Sequence, residues 1–547
     1  MLAPVPEVQM PARQVLFHAA AREKVLRGAT ALADAVRITL GPRSKCVLIQ
    51  RKWGTPLVCD DGVTIAKELE LKDPEEDLGA RMLRQAAQRT SDAVGDGTTT
   101  STLLAHAMLA EGLKNVVAGA SAIDLKRGLD RGLSSAVESL RAQSRPVSSR
   151  DEKKQVATIS AHGNVMIGEM VADAVEKVGD DGVITVEEAK STETTLEIVE
   201  GMRFDRGYSS PCFVTVSDRM DCVLEEASIL LYDRKIGSAK DILPVLEAAH
   251  SAGRSLLIIA EDVEADALAT LVVNKLRGTL HVCAVRAPEF GERRKAVLED
   301  IAVLTGGRLV SEETGTKLEK VTLDDLGRAT RVSIDHDTTT IVGGAGDKAA
   351  IKGRAEQIRK EIERTTSDYD REKLQQRLAR LTGGVAVVSV GAPTEADMKN
   401  RKAAFEDAIH ATQAAIAEGI VAGGGLALLR AVDALLAVEA TLEGDERTGV
   451  RVLRQALEVP VRQIAENAGV DAGVVVDRMR AGTGAYGFDA GKGHYCDLIA
   501  AGIVDPTKVV RTALENAVSV AGVLLLMEAT MTELPEPEHE RPGMEAM

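Results

Sequence analysis

The sequence predicts a multidomain protein that combines α and α/β architecture, on three observations. Helical apolar periodicity dominates the first and last parts of the chain, strand-like runs alternate with helices between them, and 547 residues is enough for roughly three to four domains. Taken in order, the spacing of apolar residues predicts helices over 20–39, 78–94, 100–117 and 122–142, with a short strand pair at Cys46–Gln50 and Pro56–Cys59. In the middle, "GVITVEE", "ASILLYD", "SLLIIAED" and "HVCAVRAP" read as strands and alternate with helices over 240–252 and 264–277. The charged stretch Arg354 to Arg380 reads as two helices broken near Thr366–Asp368. The closing part predicts helices over 400–418, 424–437, 448–468 and 507–531.

A helical start and end around an α/β middle implies that both termini share one domain, with the middle inserted into it. Gly201, Gly383, Gly384 and Gly419 stand at the joins, where they act either as hinges or simply as turn glycines.

Acids outnumber bases by 83 to 67, a net charge of −16, which argues against nucleic acid or an anionic membrane as the main partner. Aromatic residues make up only 2% of the chain, so stacking platforms for single-stranded nucleic acid are not expected. The six cysteines are scattered without a CxxC pair, the pattern of reduced thiols in a cytoplasmic protein. "MLAPVPEVQMPARQVLF" lacks the basic start and apolar core of a signal peptide, and no uncharged apolar run is long enough to span a membrane.

One stretch carries chemistry: "SDAVGDGTTTSTLLAHAM", Ser91 to Met108. Gly95 and Gly97 allow a backbone too tight for side chains, and the threonines after them are capping types at the start of a helix. A helix N-terminus attracts anions, yet Asp96 would repel a bare phosphate. A divalent cation between the two resolves the conflict, since Mg²⁺ binds through one or two carboxylates plus substrate phosphates. The plainer alternative is a Gly-Asp-Gly turn before an ordinary capped helix. No Walker string is present.

Two helices also carry more apolar surface than one contact face needs. "KDILPVLEAAHSAG" places Ile242, Val245 and Ala249 on one stripe and Leu243 and Leu246 on another, and "EADALATLVVNKLRG" offers Leu268, Leu271, Val272, Val273 and Leu276. The surplus either lies exposed as a sticky patch or is sandwiched in a larger core.

The strings "ADAVRITLGPRSK", "DDGVTIAKELEL", "DAVGDGTTTSTLLA", "VEGMRFDRGYSSP", "LLIIAEDVEADALATLVVNKLRG", "EDAIHAT", "EGIVAGGGLAL" and "GIVDPTKVVRTALENA", in this order, closely resemble the group I, GroEL-type chaperonins. The resemblance runs from about residue 13 to about residue 534. It implies a GroEL-like fold with an equatorial ATP-binding domain (1–142 and 419–547), an intermediate hinge domain (143–200 and 384–418) and an apical domain (201–383). It further implies an ATPase and folding chaperone, a homo-oligomer of two stacked seven-membered rings. Its partners are non-native polypeptides and a GroES-type lid, and its cofactors are ATP and Mg²⁺, with K⁺ as a further candidate ion.

Carried over by residue, Asp96 holds Mg²⁺, and Thr98, Thr99 and Thr100, with Gly97, hold the phosphates at the helix start. Leu40, Gly41 and Pro42 form the other wall of the pocket. Asp61 and Asp407 are the catalytic acids, with Asp407 orienting the attacking water and completing the metal site. Gly424 contacts the nucleotide, Asp505 the ribose, and Asp489 and Ala490 the base. Tyr208, Phe213, Leu243, Leu246, Leu268, Val272 and Val273 become client and lid contacts. The chain departs from the family pattern at Asp60 (usually lysine), at Ser209 and Cys212 in the apical segment, at Asp489 (usually asparagine), and in an acidic tail without Gly-Gly-Met repeats. These departures keep open a specialised chaperonin with weak ATPase that serves a restricted partner set.

Overall fold

The computed structural model describes residues 13–50, 56–179, 182–189, 191–217, 220–311, 318–365 and 367–533. The acidic tail therefore lies outside the described residues. The chain divides into two compact units, one built from both ends (1–172 and 403–547) and one from the middle (173–402). Both divisions fall inside helices, Val165–Val178 and Glu395–Glu418.

The first unit is mainly helical. Its first long helix, His18–Arg37, packs against Pro74–Val94, which starts under the Asp73 side chain accepting from the Glu75 and Glu76 N–H groups and stops at left-handed Gly95. The two helices touch backbone to backbone. A β-carbon on Gly28 would lie 1.7 Å from the Glu76 carbonyl oxygen, and one on Gly79 would lie 2.2 Å from that of Val25. A second reciprocal pair joins Ala122–Gln143 to Gly444–Ala456, where β-carbons on Gly128 and Gly449 would meet the carbonyls of Glu446 and Leu125 at 2.0 and 2.2 Å. Thr98–Val117 runs through the centre and, with Thr507–Leu525 and Leu426–Thr441, closes a core around Leu32, Leu83, Leu104, Leu109, Leu129 and Leu514.

Two predicted helices are corrected. The run 448–468 is two helices, Gly444–Ala456 and Val459–Asn467, because Pro460 has no N–H to continue the ladder and sits in the first turn of the second. The run 507–531 ends at Leu525, and Ala529–Glu533 is a strand paired antiparallel with Arg13–Phe17, from Arg13 opposite Glu533 to Phe17 opposite Ala529. The predicted strand pair near residue 50 forms as Val47–Ile49 with Leu57–Cys59.

The middle unit is α/β. Strands Val282–Arg286, Ser255–Ala260 and Cys222–Tyr232 run parallel, and the sheet continues antiparallel through Gly327–Ile334, Thr339–Gly344 and Gly201–Phe204. Helices Ala239–Ser251 and Ala265–Leu276 are the crossovers between the parallel strands, as the alternation in the sequence requires. Leu230, Leu257, Ile258 and Val285 fill the core. Helices Lys348–Arg364 and Asp368–Thr382 form as predicted, and buried Asp300 joins them, accepting from Arg354 Nε at 2.7 Å and from Arg377 Nη2 at 3.1 Å. A separate three-stranded sheet pairs Val385–Val390 with Val183–Glu188 and Thr195–Val199. Of the four glycines at the joins, Gly384 and Gly419 hold left-handed backbone, and Gly419 lets its turn approach the Arg145 carbonyl, where a β-carbon would lie at 2.4 Å. Among the described residues no helix is long and apolar enough to cross a membrane.

Candidate functional site

The Gly-Asp-Gly segment is a linker between two helices. Gly95 (φ +70°) ends one, and Gly97 (φ +81°) begins Thr98–Val117 with no side chain capping it. The leading N–H groups of that helix are thus open to an external acceptor. Both glycines are required by contact as well as by angle. A β-carbon on Gly95 would lie 2.1 Å from His410 Nδ1, and one on Gly97 would lie 2.7 Å from Val509 Cγ1. Asp96 between them accepts from the Gly97 N–H at 2.5 Å and from Ser160 Oγ at 3.0 Å.

Asp61 accepts from the Val63 and Thr64 N–H groups at 3.2 and 2.9 Å and so starts helix Gly62–Glu68. Gly62 brings this turn against the buried Thr98 and Thr99, since a β-carbon there would lie 2.5 Å from Thr99 Oγ1. Thr99 in turn shares a 3.0 Å hydrogen bond with Thr39. Asp407 comes from Glu395–Glu418, one turn before His410 and two before Ala414, which packs on Val94 and Val509. That helix face therefore rests on the Gly-Asp-Gly loop.

Burial, then Asp96 and Asp61, push the Asp407 carboxyl well above the usual carboxylate range, with Glu406 and exposed Asp60 adding to the effect. No lysine or arginine among the described residues pairs with Asp61, Asp96 or Asp407. A buried carboxylate in the field of two others without a cation is costly alone, and an oxygen-seeking dication at this place removes the cost. The residues fit Mg²⁺ by this measure.

The remaining predicted residues sit in two groups of the same unit. Leu40, left-handed Gly41 and exposed Pro42 form a loop held by Asn467 Nδ2, which donates to the Arg37 and Leu40 carbonyls at 2.9 Å each, while Arg43 donates to the Gly491 carbonyl at 3.1 Å. This brings the buried Asp489–Ala490 turn beside the Pro42 loop. Strand Ile420–Ala422 pairs with Val504–Pro506, so that Gly423 and Asp505 meet: a β-carbon on Gly423 would lie 3.1 Å from Asp505 Oδ1. Gly424 and Gly425 are left-handed and lead into Leu426–Thr441. Asp505 is half-buried, and burial, followed by Asp96, pushes its carboxyl up to about 7. The shared field of Asp96 links Asp505 to the Asp407 cluster.

The sequence reading missed Ser160, Thr39 and Asn467. Ser160 ends a helix that gives only a capping-box signal at its start, Ser149 with Glu152. Thr39 sits two residues beyond the Arg37 end of its helix, and only the fold brings it to Thr99.

In the middle unit, the apolar residues separate by exposure. Ile242, Val245, Leu246 and Ala249 follow the i, i+3, i+4, i+7 rule and face the core, so Leu246 is corrected from the surplus stripe to the buried one. Phe213, closing a short 3₁₀ turn, is likewise fully buried and not a surface contact. Leu243 (47%), Val273 (43%) and Leu276 (67%) are exposed, while Leu268, Val272 and Tyr208 are half-buried against the core. A bare apolar row on two neighbouring helices remains.

The sequence pattern of the TCP-1/cpn60 chaperonin family matches residues 32–535. The chain is 66% identical over 532 residues, 97% of its own length and 98% of the relative's, to the Chaperonin GroEL 5 of Bradyrhizobium diazoefficiens. With an intact acidic cluster at an open helix start and this match along nearly its whole length, the chain belongs to the TCP-1/cpn60 chaperonin family.

Proposed function

We propose that this chaperonin is an ATP-driven folding chaperone whose nucleotide site is the Asp61–Asp96–Asp407 cluster. The observation that carries the reading is the Asp407 carboxyl, pushed up by burial and then by Asp96 and Asp61, beside an uncapped helix start with no cationic partner among the described residues. Asp96 and Asp407 are the residues that would hold Mg²⁺, which supplies charge neutralisation for phosphoryl transfer. Thr98, Thr99 and Thr100 present N–H and hydroxyl groups to phosphate oxygens. Ser160 and the Gly97 N–H fix the Asp96 carboxylate in place. Asp407 orients the attacking water and accepts its proton, and Asp61 completes the acidic wall. Leu40, Gly41, Pro42, Gly424, Asp489, Ala490 and Asp505 enclose the nucleoside.

On this reading the first unit supplies the equatorial ATPase, the middle unit the apical face that meets non-native polypeptide and a GroES-type lid, and the segments 143–200 and 384–418 the hinges. Exposed Leu48 and Val58 on one two-stranded ribbon, and Phe17 and Met531 on another, are surplus apolar surface that supports assembly into rings. A cytoplasmic setting accords with the free cysteines.

Asp407→Ala is expected to keep nucleotide binding while hydrolysis falls at least about a hundredfold, since a positioned acid–base group contributes that much. Turnover within twofold of the parent would remove Asp407 from the site. Refolding of a stringent, aggregation-prone client with and without ATP and lid separates the general chaperone from the second reading, a restricted chaperonin. That second reading is favoured by the polar Ser209 and the exposed Cys212 in the apical segment.

A further inference from the structure

The hairpin Tyr486–Asp489 with His494–Asp497 has two chemically distinct faces. Its register sets Asp489 opposite His494, Phe488 opposite Tyr495 and Gly487 opposite Cys496. With side chains alternating along each strand, Tyr486, Phe488 and Tyr495 share one face, and Asp489, His494 and Cys496 share the other. The aromatic face is firmly seated: Tyr495 stacks on Tyr486 at 6.0 Å, tilts against Phe488 at 5.2 Å, and receives the Arg478 guanidinium 4.1 Å from its ring centre. On the opposite face one carboxylate oxygen, one imidazole nitrogen and one thiol sulfur all lie within 4.8 Å of one another.

We propose that Asp489, His494 and Cys496 form a binding site for a borderline transition-metal dication of the Zn²⁺ class. Sulfur, imidazole and carboxylate are the three donor types such an ion prefers, and three protein ligands leave the fourth tetrahedral position to water. Bonds of about 2.0–2.3 Å put tetrahedral ligand atoms about 3.3–3.8 Å apart, so closing the set takes a shift of only about 1 Å. His494 is exposed and free to make that shift. The Lys492 N–H donates to Asp489 Oδ1 at 3.0 Å and so orients the carboxylate. The Lys492 ammonium lies 3.8 Å from Oδ2, but its side chain is 72% exposed, and a dication displaces it at little cost. Binding would displace the proton of the Cys496 thiol, since the thiolate is the ligand.

The test is Co²⁺ titration of the full chain, stripped with a chelator and kept free of nucleotide, so that the outcome is independent of the ATPase reading. One equivalent per chain should give a thiolate-to-cobalt charge-transfer band and the intense visible bands of a four-coordinate ion, both bleached by Zn²⁺. Cys496→Ser should abolish the charge-transfer band, and His494→Ala, at an exposed position, should weaken binding roughly tenfold or more. Cys212→Ser, in the middle unit, should change neither. Absence of the band in the parent chain, or its survival in Cys496→Ser, overturns the proposal. Unaltered affinity in His494→Ala overturns it as well.

Discussion

Asp505 shows what the proposed nucleotide site costs the fold. Its carboxyl titrates at about 7 in the fold against 3.8 free, so the folded state holds a proton that the unfolded chain has given up. The penalty is absent below about pH 4, grows as pH rises through the window, and is complete above about pH 7. Asp505→Asn should therefore raise the melting temperature of the nucleotide-free protein by about 2–4 °C at pH 8 and leave it nearly unchanged at pH 4.5. An equal shift at both values would mean that Asp505 carries no such penalty. On the proposed reading, in which Asp505 accepts from ribose hydroxyls, the same substitution should also weaken nucleotide binding. Asp407, also pushed upward by burial, follows the same logic, and under the proposed function both residues exchange stability for ligand binding.

At the scale of elements, the reciprocal glycine crossings decide whether the first unit forms. Glycine inside a helix ordinarily costs about 1 kcal/mol relative to alanine. At Gly28 the preference reverses, because alanine would drive its β-carbon into the Glu76 carbonyl. Gly28→Ala should leave the protein insoluble or lower its melting temperature by more than about 10 °C, whereas Gly353→Ala, in open space on Lys348–Arg364, should be neutral or mildly stabilising. Comparable melting curves for the two variants would show that the Gly28 crossing gives way easily.

These crossings mark where sequence reading stops. Periodicity located the helices flanking the Gly-Asp-Gly loop and both parallel-strand crossovers, since each has a one-sided apolar pattern to read. It passed over Gly28 and Gly449 because close backbone approach leaves no mark except the glycine itself. It ran Thr507–Leu525 into Ala529–Glu533 for a related reason: a strand pairing with residues over 500 positions away has no local signature. Asp61, Asp96 and Asp407 could be named from motifs. Ser160 could not, being one serine among many until the fold sets it 3.0 Å from Asp96.

For the molecule as a whole, both units leave large apolar side chains in water. The middle unit keeps a bare apolar row at Leu243, Val273 and Leu276 that a solitary soluble domain would cover. Leu243→Glu should abolish client capture while basal ATPase and solubility persist, since its side chain is already half in water. Leu246→Glu, one turn along and 3% exposed, should instead unfold the unit, because it buries a charge. Client binding by light scattering together with ATPase rate reads both; unimpaired capture by Leu243→Glu would assign the row another purpose.

The ribbon of Arg13–Phe17 and Ala529–Glu533 makes the first unit a nearly closed loop of chain. Its first and last described strands are zipped side by side over five residue pairs, so linking Glu533 to Arg13 through a few glycines, in place of residues 534–547 and 1–12, would demand no rearrangement of the strands. New ends could then be opened in a surface turn elsewhere, such as Gly469, where a β-carbon would meet nothing within 4 Å. A permuted chain of this kind should fold and hydrolyse ATP at close to the parental rate, as far-ultraviolet dichroism and phosphate release would show. Failure to fold would mean that the order in which the ends emerge, and not merely their meeting, governs assembly of the helical core. Success would move both termini away from the ribbon to a site of choice, giving a handle for tethering one subunit to the next.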